Sequence, residues 1–321
     1  MASVPLRLLQ ELLLAWYQKN KRPLPWRELV SFKNWSVGPV PIRDPYTVTV
    51  SEMMLQQTQV QTVLPKYAFF LQRFSSLESL SAAPLAEVVI AWKGLGYNRR
   101  AKHLLETAKL ISKTYDGVFP SDEKTLRTLP GFGPYMVAAI QVFAFGIHRS
   151  VIDVNVARVL TRTQVGLDPI PVKELAKLAQ ESVPKGYADE WHQGLMDFGS
   201  QICTAKAPRC AECPVSRICT GNQLAKAQGF SSYAAWLLVH PVKKKTSLKD
   251  SGKRFEETDR YFRGRIIDYL RQGSLPMVEL QEKMRVEHHL DNRVRFGSLI
   301  EALMVDGLIQ ILETTVRLKT D

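Results

Sequence analysis

The chain has little cysteine, no long apolar run and too few acids to balance its bases. Among 321 residues there are four cysteines, all between positions 203 and 219. No thiol lies elsewhere, so no disulfide can staple any other part of the fold. A chain of this length buries enough apolar surface to do without one. A leucine-rich stretch near the start, Leu8–Leu14, is broken by Gln10 and Glu11 and is too short for a bilayer. It also lacks a small-residue cleavage site. It reads as an amphipathic core helix, and we expect a soluble, cytoplasmic monomer with no membrane partner. Internal repeats and low-complexity tracts are absent, and the composition is that of a globular protein. Asp and Glu number 31 against 43 Lys and Arg, a formal net charge of +12. That imbalance favours a polyanionic partner, most simply nucleic acid, over the plainer reading of an unspecific basic surface.

What the cysteines do present is a spacing. They run C-x6-C-x2-C-x5-C as Cys203, Cys210, Cys213 and Cys219. The two-residue gap makes a tight turn that brings two sulfurs together, and the longer gaps let the outer two loop back. Disulfides would need an oxidising compartment, which nothing else here suggests. Four thiolates suit zinc as well as an iron–sulfur cluster. Zinc ribbons usually repeat the C-x2-C pair, which occurs here once. Cluster, zinc and plain buried thiols stay open at this point, the first ahead.

Apolar residues recur at helical spacing over 6–19, 61–75, 84–94, 98–114, 121–128, 134–146, 153–164, 172–180 and 187–201. A loop rich in proline, glycine and aromatics runs from Arg22 to Tyr46. Ser121 is placed to cap the helix after it, with Asp122 and Glu123 in the first turn. Short connections between many helices indicate an all-α protein. Thr47–Val50 alternates and is β-branched, a strand signal, yet it runs into Ser51–Leu55 without a turn. After the cysteines the composition changes. Residues 229–258, with Lys243, Lys244, Lys245, Lys249, Lys253 and Arg254, read as a basic linker. Residues 259–321 read as a small module, with helices over Asp259–Arg271, Met277–Met284 and Val294–Asp306. Leu308–Leu312 and Thr315–Leu318 follow as a hairpin, a winged-helix pattern.

Three segments carry candidate chemistry. Leu129-Pro130-Gly131-Phe132-Gly133-Pro134-Tyr135 joins two helical stretches. Its glycines, Gly131 and Gly133, let the backbone turn and present N–H groups beside a helix start, an arrangement suited to a DNA phosphate. The plainer reading is an interhelical turn. About twenty residues on, Asp153 sits in an apolar setting at a helix start, where alone it reads as a cap. Upstream, Glu52 is flanked by Val50, Met53, Met54 and Leu55. A carboxylate so placed is disfavoured in its charged form, which raises its pKa and suits a general acid. A surface glutamate is the equal alternative. Gln56 lies one turn on, on the same face.

The hairpin, the aspartate and the cysteine cluster, in that order and spacing, resemble the helix–hairpin–helix DNA glycosylase superfamily that includes endonuclease III. Ser51–Val60, Gly94-Leu95-Gly96-Tyr97 and Leu195-Met196-Asp197-Phe198-Gly199 are similar to the MutY type of adenine DNA glycosylases. The resemblance covers roughly residues 6–245 and makes Thr47–Val50 helical. It implies a two-lobed fold, with 46–150 as a six-helix lobe carrying the hairpin. The other lobe combines 1–45 with 151–228 and a 4Fe-4S cluster on the four cysteines. Double-stranded DNA with adenine opposite 8-oxoguanine or guanine would lie in the cleft, its adenine flipped out. By resemblance Glu52 protonates the adenine ring, and Asp153 stabilises the oxocarbenium-like sugar or captures it. Tyr135 and Asn155 match assisting residues. Arg22, Leu24, Trp26, Arg27 and Asp197 match the adenine pocket. Gln57, Thr58 and Tyr97 match duplex contacts, Gln57 and Tyr97 as wedges.

Bifunctional relatives carry a lysine at position 135, which attacks the sugar through a Schiff base. Tyr135 cannot form one, so we expect a monofunctional glycosylase; simple aromatic packing is the alternative role for this side chain. Two features depart from the family. The loop Glu28–Pro41 looks longer than usual, and the short module stands where many relatives carry a larger Nudix-type domain. Thr258–Arg265 resembles the end of some shorter MutY-type enzymes. The module either stabilises the fold or contacts DNA or protein. A thymine or uracil mismatch glycosylase is the nearest rival reading, and a silent DNA-binding protein is the other. Glu52 with Gln56-Gln57-Thr58 favours adenine, and two carboxylates near phosphate have no use in a mere binder.

Overall fold

The computed structural model describes residues 6–30, 39–241 and 254–320. Sixteen helices run in chain order through them. They are α1 Leu6–Asn20, α2 Pro45–Leu55, α3 Val60–Arg73, α4 Leu77–Ser81, α5 Leu85–Ala91, α6 Arg99–Thr114, α7 Glu123–Leu126 and α8 Pro134–Phe143. Then come α9 Val154–Leu160, α10 Val172–Glu181, α11 Ala188–Gln201, α12 Thr220–Ala227, α13 Tyr233–Val239, α14 Asp259–Leu270, α15 Met277–His288 and α16 Arg293–Val305. Three short strands, β1 Leu275–Pro276, β2 Ile309–Leu312 and β3 Thr315–Leu318, complete the set. No helix among the described residues is long and apolar enough to cross a membrane.

The β-branched run Thr47–Val50 is helical for a local reason. Asp44 accepts from the Tyr46 N–H at 3.0 Å and its carbonyl from Thr47 Oγ1 at 2.9 Å, with Pro45 as the first helical residue. A capped start with proline at N1 outweighs a weak strand preference. Thr49, Val50 and Ser51 are all buried, so this segment is enclosed rather than one-sided.

Two compact units emerge. One is Met1–Val48, Ser121–Arg127 and Phe132–Lys245; the other is Thr49–Pro120, Thr128–Gly131 and Thr246–Asp321. In the first, α1 and α9 pack on α11, burying Leu9, Leu13, Val156, Leu160, Trp191, Leu195 and Phe198. Helix α8 is buried from Met136 to Phe143, with Gln141 its one polar side chain there, and it packs on α7 and α11. That packing draws 134–143 into this unit rather than into a lobe over 46–150. Arg43 forms a buried two-point ion pair with Asp189, 2.8 Å at each contact, and donates to the Phe143 carbonyl.

In the second unit α6 packs on α4 and α5 around Phe70, Trp92, Leu104 and Ile111. Residues 254–320 belong here too, with α14, α15 and α16 around Phe262, Ile266, Leu280, Leu299 and Leu303. The sheet order is β1-β3-β2, antiparallel, with Leu275 opposite Val316 and Ile309 opposite Leu318. Lys102 donates to the Asp306 carbonyl, and Arg271 to the Val89 carbonyl and Asn98 Oδ1. These bonds join the C-terminal elements to α5, to α6 and to Asn98 just before α6.

Several local expectations change. Asp122, not Ser121, caps α7, because its backbone is extended and its carboxylate accepts from the Thr125 N–H at 2.9 Å. Helix α2 ends at Leu55, so Gln56 lies beyond it and not on the face of Glu52. The helix expected over 153–164 is α9 followed by a π-helical turn, Thr161–Val165, ending at Gly166. The linker expected over 229–258 contains α13, whose Tyr233 and Leu237 pack against Ala225. The lysines at 243–245, 249 and 253 lie outside the described residues, as does most of the long loop Glu28–Pro41.

Candidate active site and cysteine centre

Asp153 is the N-cap of α9. Its Oδ1 accepts from the backbone N–H groups of Asn155 and Val156 at 2.9 and 2.7 Å. Its Oδ2 accepts from the Asn155 side-chain amide at 2.7 Å. Three donors fix the carboxylate plane, as the capping reading requires. Asn155 is itself held, its Oδ1 accepting from Arg158 at 2.7 Å. Arg158 continues to the carbonyls of Gly199, at 2.6 Å, and Cys203, at 2.7 Å. Helix α11 comes this close because residue 199 is glycine: a Cβ there would meet Asn155 Cβ at 2.6 Å. Val151, two residues before Asp153, donates to His192 Nε2 at 2.9 Å, while His192 Nδ1 meets the Ala188 carbonyl at 2.7 Å. Nε2 is thus an acceptor and the ring is neutral. Burial pushes its pKa down to about 4, with repulsion from His148 adding to it and the Ala188 bond opposing.

A second cluster surrounds Asp197, which is 0% exposed. Arg27 forks onto both its oxygens at 2.8 and 2.9 Å. Arg22 adds its Nε to Oδ1 at 2.7 Å and its backbone N–H to Oδ2 at 3.1 Å. Burial alone would raise the Asp197 pKa, but the bonds and charges of Arg27 and Arg22 hold it below the usual carboxylate range. Two guanidiniums against one carboxylate leave a net positive charge. Leu24 and Trp26 are buried beside them. Arg22, Leu24 and Arg27 line an open cleft together with Tyr17, Ile42 and Arg43.

Glu52 belongs to the other unit. It is 8% exposed, on a helix whose Val50, Met53 and Met54 are wholly buried. The surface alternative for it therefore falls. Past the end of α2, Gln57 takes a left-handed backbone, φ 57°, and so does Tyr97, φ 45°. Tyr97 Oη donates to Gln57 Oε1 at 2.5 Å. One arginine that the sequence reading missed holds both turns. Arg100, 8% exposed, donates to the carbonyls of Met53, Gln56 and Leu95 at 2.6, 2.6 and 2.9 Å, and to Thr58 Oγ1 at 3.3 Å. Burial lowers its pKa to about 10.

At the glycine-containing turn the two glycines differ. Gly131 has φ 80°, and a Cβ there would meet His103 at 3.0 Å, so only glycine fits. Gly133 has φ −75° and open space around it, and it serves as the cap of α8 with Pro134 first in the helix. Tyr135 follows in the first turn.

All four cysteines line one small cavity, and none is in a disulfide. Arg162 runs along it, donating to the carbonyls of Thr204 and Ala205 at 2.7 and 3.0 Å and reaching Cys203 Sγ at 3.5 Å. The π turn frees the Arg162 carbonyl, which accepts from Cys219 Sγ at 3.3 Å. Asn222 ties the loop to α13 through Ser216 and Tyr233. Burial pushes the Cys213 thiol up to about 12 and Cys219 to about 11. Arg209, within this loop, is paired with Glu212. Among the described residues no three His, Cys, Asp or Glu side chains are grouped to hold a metal ion.

A family model described as HhH-GPD superfamily base excision DNA repair protein matches residues 50–185. An adenine DNA glycosylase of Mycolicibacterium smegmatis is 34% identical over 93% of this chain and 91% of its own length. The human adenine DNA glycosylase is 39% identical over 66% of this chain, which spans 39% of that longer protein. A solved thermostable thymine-DNA glycosylase superposes with a TM-score of 0.60 at 29% identity, covering 68% of this chain and 97% of the other. The chain belongs to the HhH-GPD superfamily of base excision DNA repair proteins and, within it, to the adenine DNA glycosylases.

Proposed function

We propose that the enzyme excises adenine paired with 8-oxoguanine or guanine in duplex DNA, without cutting the strand. The locked Asp153 carboxylate carries this reading. Glycoside cleavage builds positive charge on the sugar, and a fixed carboxylate stabilises that charge without reorganising. Asn155 holds Oδ2 from the side, and Tyr135 assists beside the sugar. Glu52 is the acid that protonates the departing adenine ring. Arg22, Leu24, Trp26, Arg27 and Asp197 form the adenine-binding wall, and Gln57, Thr58 and Tyr97 engage the opened duplex. Gly131 and Gly133 present the backbone to a phosphate.

The donor set at Cys203, Cys210, Cys213 and Cys219 fits a 4Fe-4S cluster: four thiols on one cavity, none spent in a disulfide. A cubane needs its thiolates further apart than a single zinc ion does. With every thiol a ligand, such a group would shape the 203–219 loop. Residues 259–321 fit a winged-helix-like module.

Single-turnover reactions on duplexes carrying A:8-oxoG, A:G, T:G and U:G test the reading. We expect adenine release from the first two, with strand breaks only after alkali. Release of thymine but not adenine would overturn the substrate, as the likeness to a thymine-DNA glycosylase makes worth checking. A robust borohydride-trapped adduct would overturn the monofunctional assignment.

A further inference from the structure

Phe255 and Arg260 of the C-terminal segment meet the tip formed by Gln57 and Tyr97. Arg260, in the first turn of α14, stacks its guanidinium over the Tyr97 ring at 5.1 Å and over the Phe255 ring at 4.9 Å. Its Nη1 donates to Tyr97 Oη, which in turn donates to Gln57. The stack stands in solvent: Tyr97 is 37% and Phe255 49% exposed, and Arg260 and Gln57 are exposed as well.

Four exposed side chains from three separate stretches of chain do not line up in this way at no cost. Gln57 and Tyr97 are non-glycine residues in a left-handed backbone, held there by Arg100. Strain kept on an exposed tip marks a functional surface. Aromatic rings interleaved with a guanidinium and an amide suit bases, by stacking and edge bonding. With both rings against the Arg260 guanidinium, the N–H groups at its edge are what it offers. Among the described residues only Nη1 of that edge has a hydrogen-bond partner.

We propose that Arg260, braced by Phe255 and Tyr97, reads a guanine opposite the excised adenine through its O6 and N7 acceptors, an adjacent pair that 8-oxoguanine, with a hydrogen on N7, does not present. The proposal rests on adenine excision and on Gln57 and Tyr97 contacting the opened duplex. A bare phosphate contact is the competing role. It is disfavoured because the immediate partners on the tip are rings and an amide rather than further cations.

The test measures single-turnover adenine excision opposite 8-oxoguanine, guanine and cytosine for the wild type, Arg260→Gln and Arg260→Lys. One guanidinium–guanine pair contributes enough that Arg260→Gln should lose about tenfold or more opposite guanine, and less than about threefold opposite 8-oxoguanine or cytosine. Arg260→Lys should fall nearly as far, because lysine keeps the charge but not the fork. Full rescue by lysine, an equal fall on all three duplexes, or no fall would overturn the proposal. If Arg260→Gln fails to fold by circular dichroism, Phe255→Ala should show the same partner-selective loss, and an unselective loss would overturn it. A wild type that releases no adenine from any duplex would instead defeat the functional reading beneath it.

Discussion

At the scale of single residues the account rests on two carboxylates in unlike settings. Glu52 is buried on a helix beside Val50, Met53 and Met54, and Asp153 is gripped by three donors. We expect Glu52→Gln and Asp153→Asn each to slow excision by at least about 10³-fold, as loss of an acid or of a charge-stabilising group does. Duplex affinity, measured by fluorescence anisotropy, should stay within a few-fold; a parallel collapse of binding would make them structural. Arg158 touches neither carboxylate but fixes Asn155 against Gly199 and Cys203. Arg158→Ala should cost on the order of 10²-fold in rate through misplacement of Asn155. An unchanged single-turnover rate would contradict it. The sequence shows Glu52, Asp153 and the cysteines because their types are rare in apolar or closely spaced settings. It hides Arg100, Arg158 and Arg162, because their partners are mostly backbone carbonyls, which every residue has.

At the scale of elements, the amphipathic helices are legible from spacing, with ends shifted by a few residues. What spacing misses is decided by single bonds. Asp122 outcompetes Ser121 as a cap once its carboxylate reaches Thr125. Helix α13 hides in a basic stretch although Ser232 caps it and Tyr233 and Leu237 bury it. Helix α11 packs against α1, α8 and α9, and His192 within it is 0% exposed and neutral. Its folded pKa, about 4, lies below the ordinary value of 6.5. Between those values the unfolded chain binds a proton that the folded chain refuses, so stability falls as pH drops from 6.5 toward 4. One such group contributes a slope of up to about 1.4 kcal/mol per pH unit. Urea unfolding at pH 7 and pH 5 should show the drop, and His192→Gln should flatten it; equal slopes would remove His192 as the cause.

At the scale of the whole molecule, the division into units was not legible. It depends on long-range contacts, such as those of α8 with α11 and of Lys102 with Asp306, that no local pattern reports. Net charge was legible, and it carries its own consequence. A chain at +12 that neutralises phosphates should lose DNA affinity as salt rises, with about 0.9 added to the log–log slope for each phosphate. We expect a slope steeper than about −3 for a plain duplex, and a flat response would deny the phosphate contacts. The base released remains the sharpest test of all. A duplex with A:8-oxoG and one with T:G, mixed in one tube with excess enzyme, should yield free adenine and no free thymine by chromatography. Free thymine without adenine would contradict the account.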